Sequence, residues 1–212
     1  MKTNVYIDGF NLYHRALQYS PYKWLDLLKV SEALLPTHQI NRIRFFTALV
    51  EWRATDPNQQ RRQLTYIRAL ESLPGLTVHY GHFRTDSKRK PLTHPIQDAS
   101  PIVEVDVTQE KGSDVNLATY LLLDGFQGDY EQACVISNDS DLALPIKVVR
   151  DELKLPIVVT NPSVSQRVPT AKQLQDASTF QRRLFKTTLK NSQFPPTLTD
   201  ANGTITKPPS WV

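Results

Sequence analysis

Two stretches of this sequence end an apolar run in carboxylates. Ala133-Cys134-Val135-Ile136 leads into Ser137-Asn138-Asp139-Ser140-Asp141, and Asn4-Val5-Tyr6-Ile7 leads into Asp8-Gly9-Phe10-Asn11. A short apolar run with β-branched residues reads as a buried strand, so each set of acids falls at a strand's carboxyl end. In open α/β sheets that edge is where ligands bind. Two strands that deliver acid to one edge point to a divalent-metal site. Asp114 and Asp141, placed at helix starts, could face the same crevice. Magnesium and manganese prefer oxygen ligands, and magnesium keeps several waters, so a few carboxylates suffice. Without a cation such acids repel one another, which raises some of their pKa values. Taken singly, each aspartate also reads as a cap or turn residue; capping does not explain acids at two strand ends together with a third at a helix start. Asp106, Asp124 and Asp129 stay outside the group, with Asp124 and Asp129 expected in solvent.

The elements that must hold these acids follow from periodicity. Strands are expected at Asn4 to Ile7, Arg42 to Val50, Leu76 to Phe83, the run ending at Ile136, and Leu155 to Thr160. Helices are expected after Phe10, from Trp24 to Leu35 before Pro36, and from Gln60 to Leu73 on Leu64, Ile67, Leu70 and Leu73. A further helix opens at Ser113 as N-cap with Val115, Leu117, Ala118, Leu121 and Leu122 inward, and another at Asp141. Residues 84–101 are polar, basic and proline-bearing, expected as an exposed loop or hairpin tip, followed by a short edge strand at Ile102, Val103 and Val105. The alternation predicts an α/β fold, a three-layer α/β/α sandwich with a mainly parallel central sheet over residues 1–165. Residues 166–212 form a helical or irregular C-terminal extension, with Phe180, Leu184 and Leu189 on one or two helices and Trp211 anchoring a tail on the body.

Composition narrows the chemistry. The net charge of +4 and pI near 9.1 suit a polyanionic partner around a local acid patch. A single cysteine, Cys134, excludes an intrachain disulfide and a cysteine-built zinc site. The histidines show no ligand spacing, and nothing supports serine or cysteine hydrolase chemistry. No signal-peptide pattern and no apolar stretch of transmembrane length occur, so no membrane partner and a cytoplasmic location are expected.

Tyr6-Ile7-Asp8-Gly9-Phe10-Asn11, Lys111-Gly112-Ser113-Asp114-Val115 and Ile136-Ser137-Asn138-Asp139-Ser140-Asp141-Leu142, in that order, resemble the NYN domain family, the LabA-like branch of the PIN-like nucleases. The resemblance implies metal-dependent cleavage of RNA, with Asp8, Asp114, Asp139 and Asp141 binding Mg²⁺ or Mn²⁺. It further implies that Asn11 orients Asp8 or touches substrate, that Ser137 and Asn138 line the pocket, and that Lys111 faces a phosphate. Arg84, Lys88, Arg89, Lys90, Arg182 and Arg183 are candidate backbone contacts. The basic 84–101 segment lies outside the family's minimal core. A haloacid-dehalogenase-type phosphatase needs a second aspartate two residues after the first, where this chain has Phe10. A non-catalytic RNA-binding or regulatory module is the alternative, disfavoured by clustered negative charge where phosphates would lie. A homodimer is compatible with the sequence.

Overall fold

The computed structural model describes residues 1–51, 54–94 and 100–211. β1 (Lys2–Asp8) runs into α1 (Gly9–Leu12), which widens into a π-type turn over Tyr13–Leu17, closed by Gln18 N donating to Tyr13 O at 2.8 Å. α2 (Leu27–Leu34), β2 (Gln39–Thr47), α3 (Gln59–Glu71) and β3 (Leu76–Tyr80) follow. β4 (His82–Pro91) and β5 (Ile102–Lys111) form a hairpin, and α4 (Ser113–Phe126), β6 (Gln132–Ile136), α5 (Ala143–Asp151) and β7 (Ile157–Asn161) return to the body. The chain ends in α6 (Lys172–Ala177), β8 (Phe180–Arg183), α7 (Lys186–Asn191) and the pair β9 (Thr197–Asp200) and β10 (Gly203–Thr206).

The sheet order is β3-β2-β1-β6-β7-β8, with every neighbouring pair parallel. Successive side chains on a strand point to opposite faces. Val5, Ile7, Ile43, Phe45, Cys134 and Ile136 therefore pack to one side, under α1, α2, α3 and the segment carrying Leu184, Leu189 and Phe194. Tyr6, Phe46, Val135, Ile157 and Val159 pack to the other, under α4, α5 and α6. Each fully buried Leu, Ile or Val contributes about 1.5–3 kcal/mol over an exposed one. This is the expected three-layer arrangement.

Local readings differ in instructive places. The helix expected from Trp24 begins at Leu27, because the Asp26 carboxylate accepts from Leu28 N and Lys29 N and starts it there. In α3 the buried stripe is Tyr66, Ile67, Ala69 and Leu70, which leaves Leu64 exposed. In α4, Ser113 is the first helical residue and Gly112, at φ +96°, takes the cap position, while Val115 faces solvent. The expected third strand breaks at Gly81. There a Cβ would run into the Glu110 carboxylate and the Lys111 carbonyl, so the chain turns and begins β4. What was expected from 84 as an exposed loop or hairpin tip is one arm of a long hairpin, laddered to β5 from His82↔Lys111 to Pro91↔Ile102; positions 95–99 of that segment lie outside the described residues. Phe180–Arg183, expected on a helix, is an edge strand paired with β7. Trp211 packs on Trp24 and Tyr66, with ring centroids 6.3 and 5.8 Å apart. No helix among the described residues is long and apolar enough to cross a membrane.

Candidate functional site

Strand order reverses between β1 and β6: one half of the sheet grows from β1 towards β3, the other from β6 towards β8. At such a switch point the loops diverge and leave a crevice at the carboxyl ends. The register ends at Ile7↔Ile136, so Asp8 and Ser137 emerge side by side. Gly9 is required there, since a Cβ would meet Phe46 O at 2.6 Å and the Phe45 ring at 2.8 Å. Ser137 is fully buried and its hydroxyl donates to Asp8 Oδ2 at 2.8 Å while accepting from Asp139 N at 3.0 Å. One oxygen thus ties the two acid loops together. Asp8 Oδ1 accepts from Asn11 N at 2.9 Å, and Asn11 Oδ1 accepts from Asn138 N at 3.0 Å, a second tie across the same gap. Asn138 in turn donates to Pro169 O and accepts from Ala171 N, which fixes its loop to the start of α6.

Asp114 opens α4 from the facing side. Burial, then the charges of Asp8, Asp139, Glu110 and Asp141, push its carboxyl up to about 6. Burial also raises Asp8; the bonds from Asn11 N and Ser137 oppose this, and the Asp139 and Glu110 charges add to it. Asp139 is half-buried and caps Asp141 N at 3.0 Å, whereas Asp141 is exposed at the rim. The four aspartates therefore share one electrostatic neighbourhood, and among the described residues none of them forms an ion pair. No three histidine, cysteine, aspartate or glutamate side chains among the described residues stand close enough to ligate one ion directly. All-oxygen ligands of this kind are those a hard dication takes while keeping part of its water shell.

Comparison with known proteins gives the frame a family. A model of the NYN domain matches residues 2–182. The chain belongs to the NYN domain family. The chain is 28% identical, over an alignment of 236 positions, to 6-hydroxy-3-succinoylpyridine 3-monooxygenase HspA of Pseudomonas putida (strain DSM 28022 / S16), covering 100% of this chain and 75% of that protein. A Vibrio parahaemolyticus RIMD 2210633 protein of unknown function has the same fold, with a TM-score of 0.55 and 14% identity over 87% of this chain and 93% of that one.

In this NYN domain the remaining candidates scatter. Lys111 is exposed at the end of β5. Arg84 pairs with Asp86 at 2.8 Å, and Lys88 and Arg89 lie exposed on β4 opposite Val105 and Glu104. Glu110 was missed by the sequence reading. It is held by Ser113 N at 3.0 Å and Ser113 Oγ at 2.7 Å and adds its charge to Asp8 and Asp114. Its signal was an acid four residues before Asp114, across a glycine. The expectation that Asp124 and Asp129 are solvated is corrected. Asp124 is 2% exposed, accepting from Arg44 at 2.7 and 2.8 Å and from Tyr6 Oη at 2.7 Å. Asp129 accepts from Asn4 and Arg42. Helix phase turns Asp124 inward one strand away from an arginine, which position along the helix does not disclose.

Proposed function

We propose that this NYN domain is a metal-dependent ribonuclease that hydrolyses RNA phosphodiester bonds at the crevice between β1 and β6. The observation that carries the reading is the convergence of Asp8 and Asp139, tied through Ser137, with Asp114, whose carboxyl their charges raise, all three lacking any cationic partner among the described residues. Buried like charges cost stability unless something neutralises them. Asp8, Asp114, Asp139 and Asp141 would hold Mg²⁺ or Mn²⁺. Bound there, such an ion supplies a water of lowered pKa and charge relief at the leaving oxygen.

The chain's own groups do the positioning. Ser137 and Asn11 N fix the plane of the Asp8 carboxylate, and Asn11 with Asn138 holds the two loops at a set separation. Lys111, Lys88 and Arg89 are free of ion pairs among the described residues and offer cations to a phosphate backbone, with Arg84 beside them. The test incubates purified protein with single-stranded and structured RNA, with Mn²⁺ or with EDTA, beside Asp8→Asn and Asp139→Asn. Cleavage is expected with Mn²⁺ alone and from the unsubstituted protein alone; cleavage that survives both substitutions overturns the reading.

A second reading, oxygenation of a pyridine ring at the same edge, is favoured by the alignment of the whole of this chain with 75% of the named monooxygenase. Oxygen uptake on 6-hydroxy-3-succinoylpyridine with a supplied reductant, in the absence of RNA cleavage, would replace the first reading with this one.

A further inference from the structure

Beside the acid crevice, on the face covered by α1 and α3, the structure forms a partly open pocket of about 460 Å³, within the size range of sites for small organic ligands. It shares Gly9, Phe10 and Glu110 with the rim of the acid site, so an occupant would lie next to the carboxylates. Its walls are aromatic. Tyr13, Tyr66, Phe83 and Trp211 contribute rings, and Phe10 meets Phe83 edge-on at 5.7 Å. Flat faces at this density favour a planar guest, through offset or edge-to-face packing.

The polar side chains in the lining include one carboxylate, Glu110, held by Ser113, and two cations, Lys23 and Arg62. Lys23 forms no ion pair among the described residues, and Arg62, which pairs with Asp56, lies close enough to Tyr13 for its charge to act on that hydroxyl. The side chains of Gln59 and Thr47 also line the cavity and make no hydrogen bond among the described residues. An aliphatic guest would leave these unused. A ring with heteroatoms and an anionic arm would engage both the amide and hydroxyl and the two cations.

We infer that this cavity is a binding site for a planar heteroaromatic ring bearing an anionic group, with the ring among Tyr13, Tyr66 and Trp211 and the anion at Lys23 and Arg62. The inference stands apart from the chemistry assigned to the aspartates, because it concerns occupancy of a different cavity. Two sources share the chemistry: a nucleoside monophosphate and a free heteroaryl carboxylate.

Isothermal titration of the full chain, in EDTA so that the acid site cannot report, separates them. The probes are AMP, UMP and 6-hydroxynicotinate, with ribose 5-phosphate and uncharged 2-pyridone as controls. At least one ringed anion is expected to bind tenfold or more tightly than both controls. Lys23→Gln, at a partly exposed position, is expected to weaken that probe at least fivefold, and Gln59→Trp, which fills the cavity from its rim, to abolish binding. Preference for AMP or UMP assigns the site to a nucleotide, and preference for 6-hydroxynicotinate to a small aryl acid. Probes no tighter than the controls, or binding unchanged in both variants while circular dichroism shows them folded, overturn the inference.

Discussion

Helix α4 carries an acid near each end, half-buried Asp114 and buried Asp124, and the two ends treat it in opposite ways. Asp124, late in the helix, meets Arg44 and Tyr6 and is fully partnered; Asp114, in the first turn, meets only Asp8, Asp139, Glu110 and Asp141. The difference is one of purpose. A charge that serves the fold is partnered within the fold, since desolvating it alone costs several kcal/mol. A charge left among like charges raises its neighbours' pKa values, and under the proposed function a bound dication would relieve it. The same helix thus has a structural end and a working end, 10 residues apart in number.

The largest effect should come from breaking the structural end. Asp124→Asn leaves Arg44 buried with its charge uncompensated, its side chain only 10% exposed. The expected loss is about 3–5 kcal/mol in urea unfolding. The triple substitution Arg44→Met, Asp124→Leu, Tyr6→Phe removes the buried ion pair and its hydroxyl partner at once and should recover most of that loss. Equal damage from the single and triple variants would mean that shape, not charge pairing, holds this end.

At the working end the corresponding effect is smaller. Ser137→Ala strips Asp8 Oδ2 and Asp139 N of a shared partner, at a cost of about 1–3 kcal/mol. Cleavage of RNA should fall with it, because both acid loops lose their common anchor. Ser137→Thr keeps the hydroxyl and should retain more activity than stability.

These contrasts also mark what the sequence disclosed. The strand-then-acid transitions at Ile7-Asp8 and Ile136-Ser137 were legible because a buried parallel strand must be apolar and its end must not be. That one pattern placed Asp8 and Asp139 on the same edge and fixed the layering. The pairing Arg44–Asp124 was not legible, since it joins residues 80 apart whose facing depends on helix phase and sheet order together. The length of the hairpin's first arm was hidden for another reason. Arg84 to Pro91 is as polar as any loop, and it forms a strand only because Val103, Val105 and Val107 offer it a β-branched partner. Glu110 was invisible because it belongs to the hairpin in sequence and to the acid site in space.

At the working end one substitution should change the sign of the stability effect. Asp114→Asn removes one of several mutually repelling acids but also a favourable first-turn charge worth about 0.3–1 kcal/mol. In EDTA and low salt the variant should match or exceed the parent's stability by up to about 1 kcal/mol, while losing Mn²⁺-dependent cleavage. Added Mn²⁺ should stabilise the parent more than the variant in a thermal melt. Identical metal-induced shifts in the two proteins would remove Asp114 from the ion's surroundings.

The smallest effect tests how full the structural end already is. His79 accepts from Arg44 through Nε2 at 3.1 Å and lies over Tyr120, with ring centroids 4.2 Å apart. Burial, and then the Arg44 charge, pull its pKa down from 6.5 to about 4. The unfolded chain therefore takes up a proton near pH 6.5 that the folded chain refuses until about pH 4. Stability from this group is complete above pH 6.5 and declines as pH falls through that window, the direction opposite to that of a histidine gaining an acid partner. His79→Gln keeps an acceptor for Arg44 and cannot titrate, so its unfolding free energy should vary less between pH 6.5 and 4 than the parent's. The partial exposure of His79 keeps the difference small. If the variant follows the parent's curve throughout, the neutral histidine contributes nothing to the acid sensitivity. Carboxylates held below their usual range by arginine partners, such as Asp129 and Asp200, then become its source, since the raised Asp8 and Asp114 gain stability on acidification.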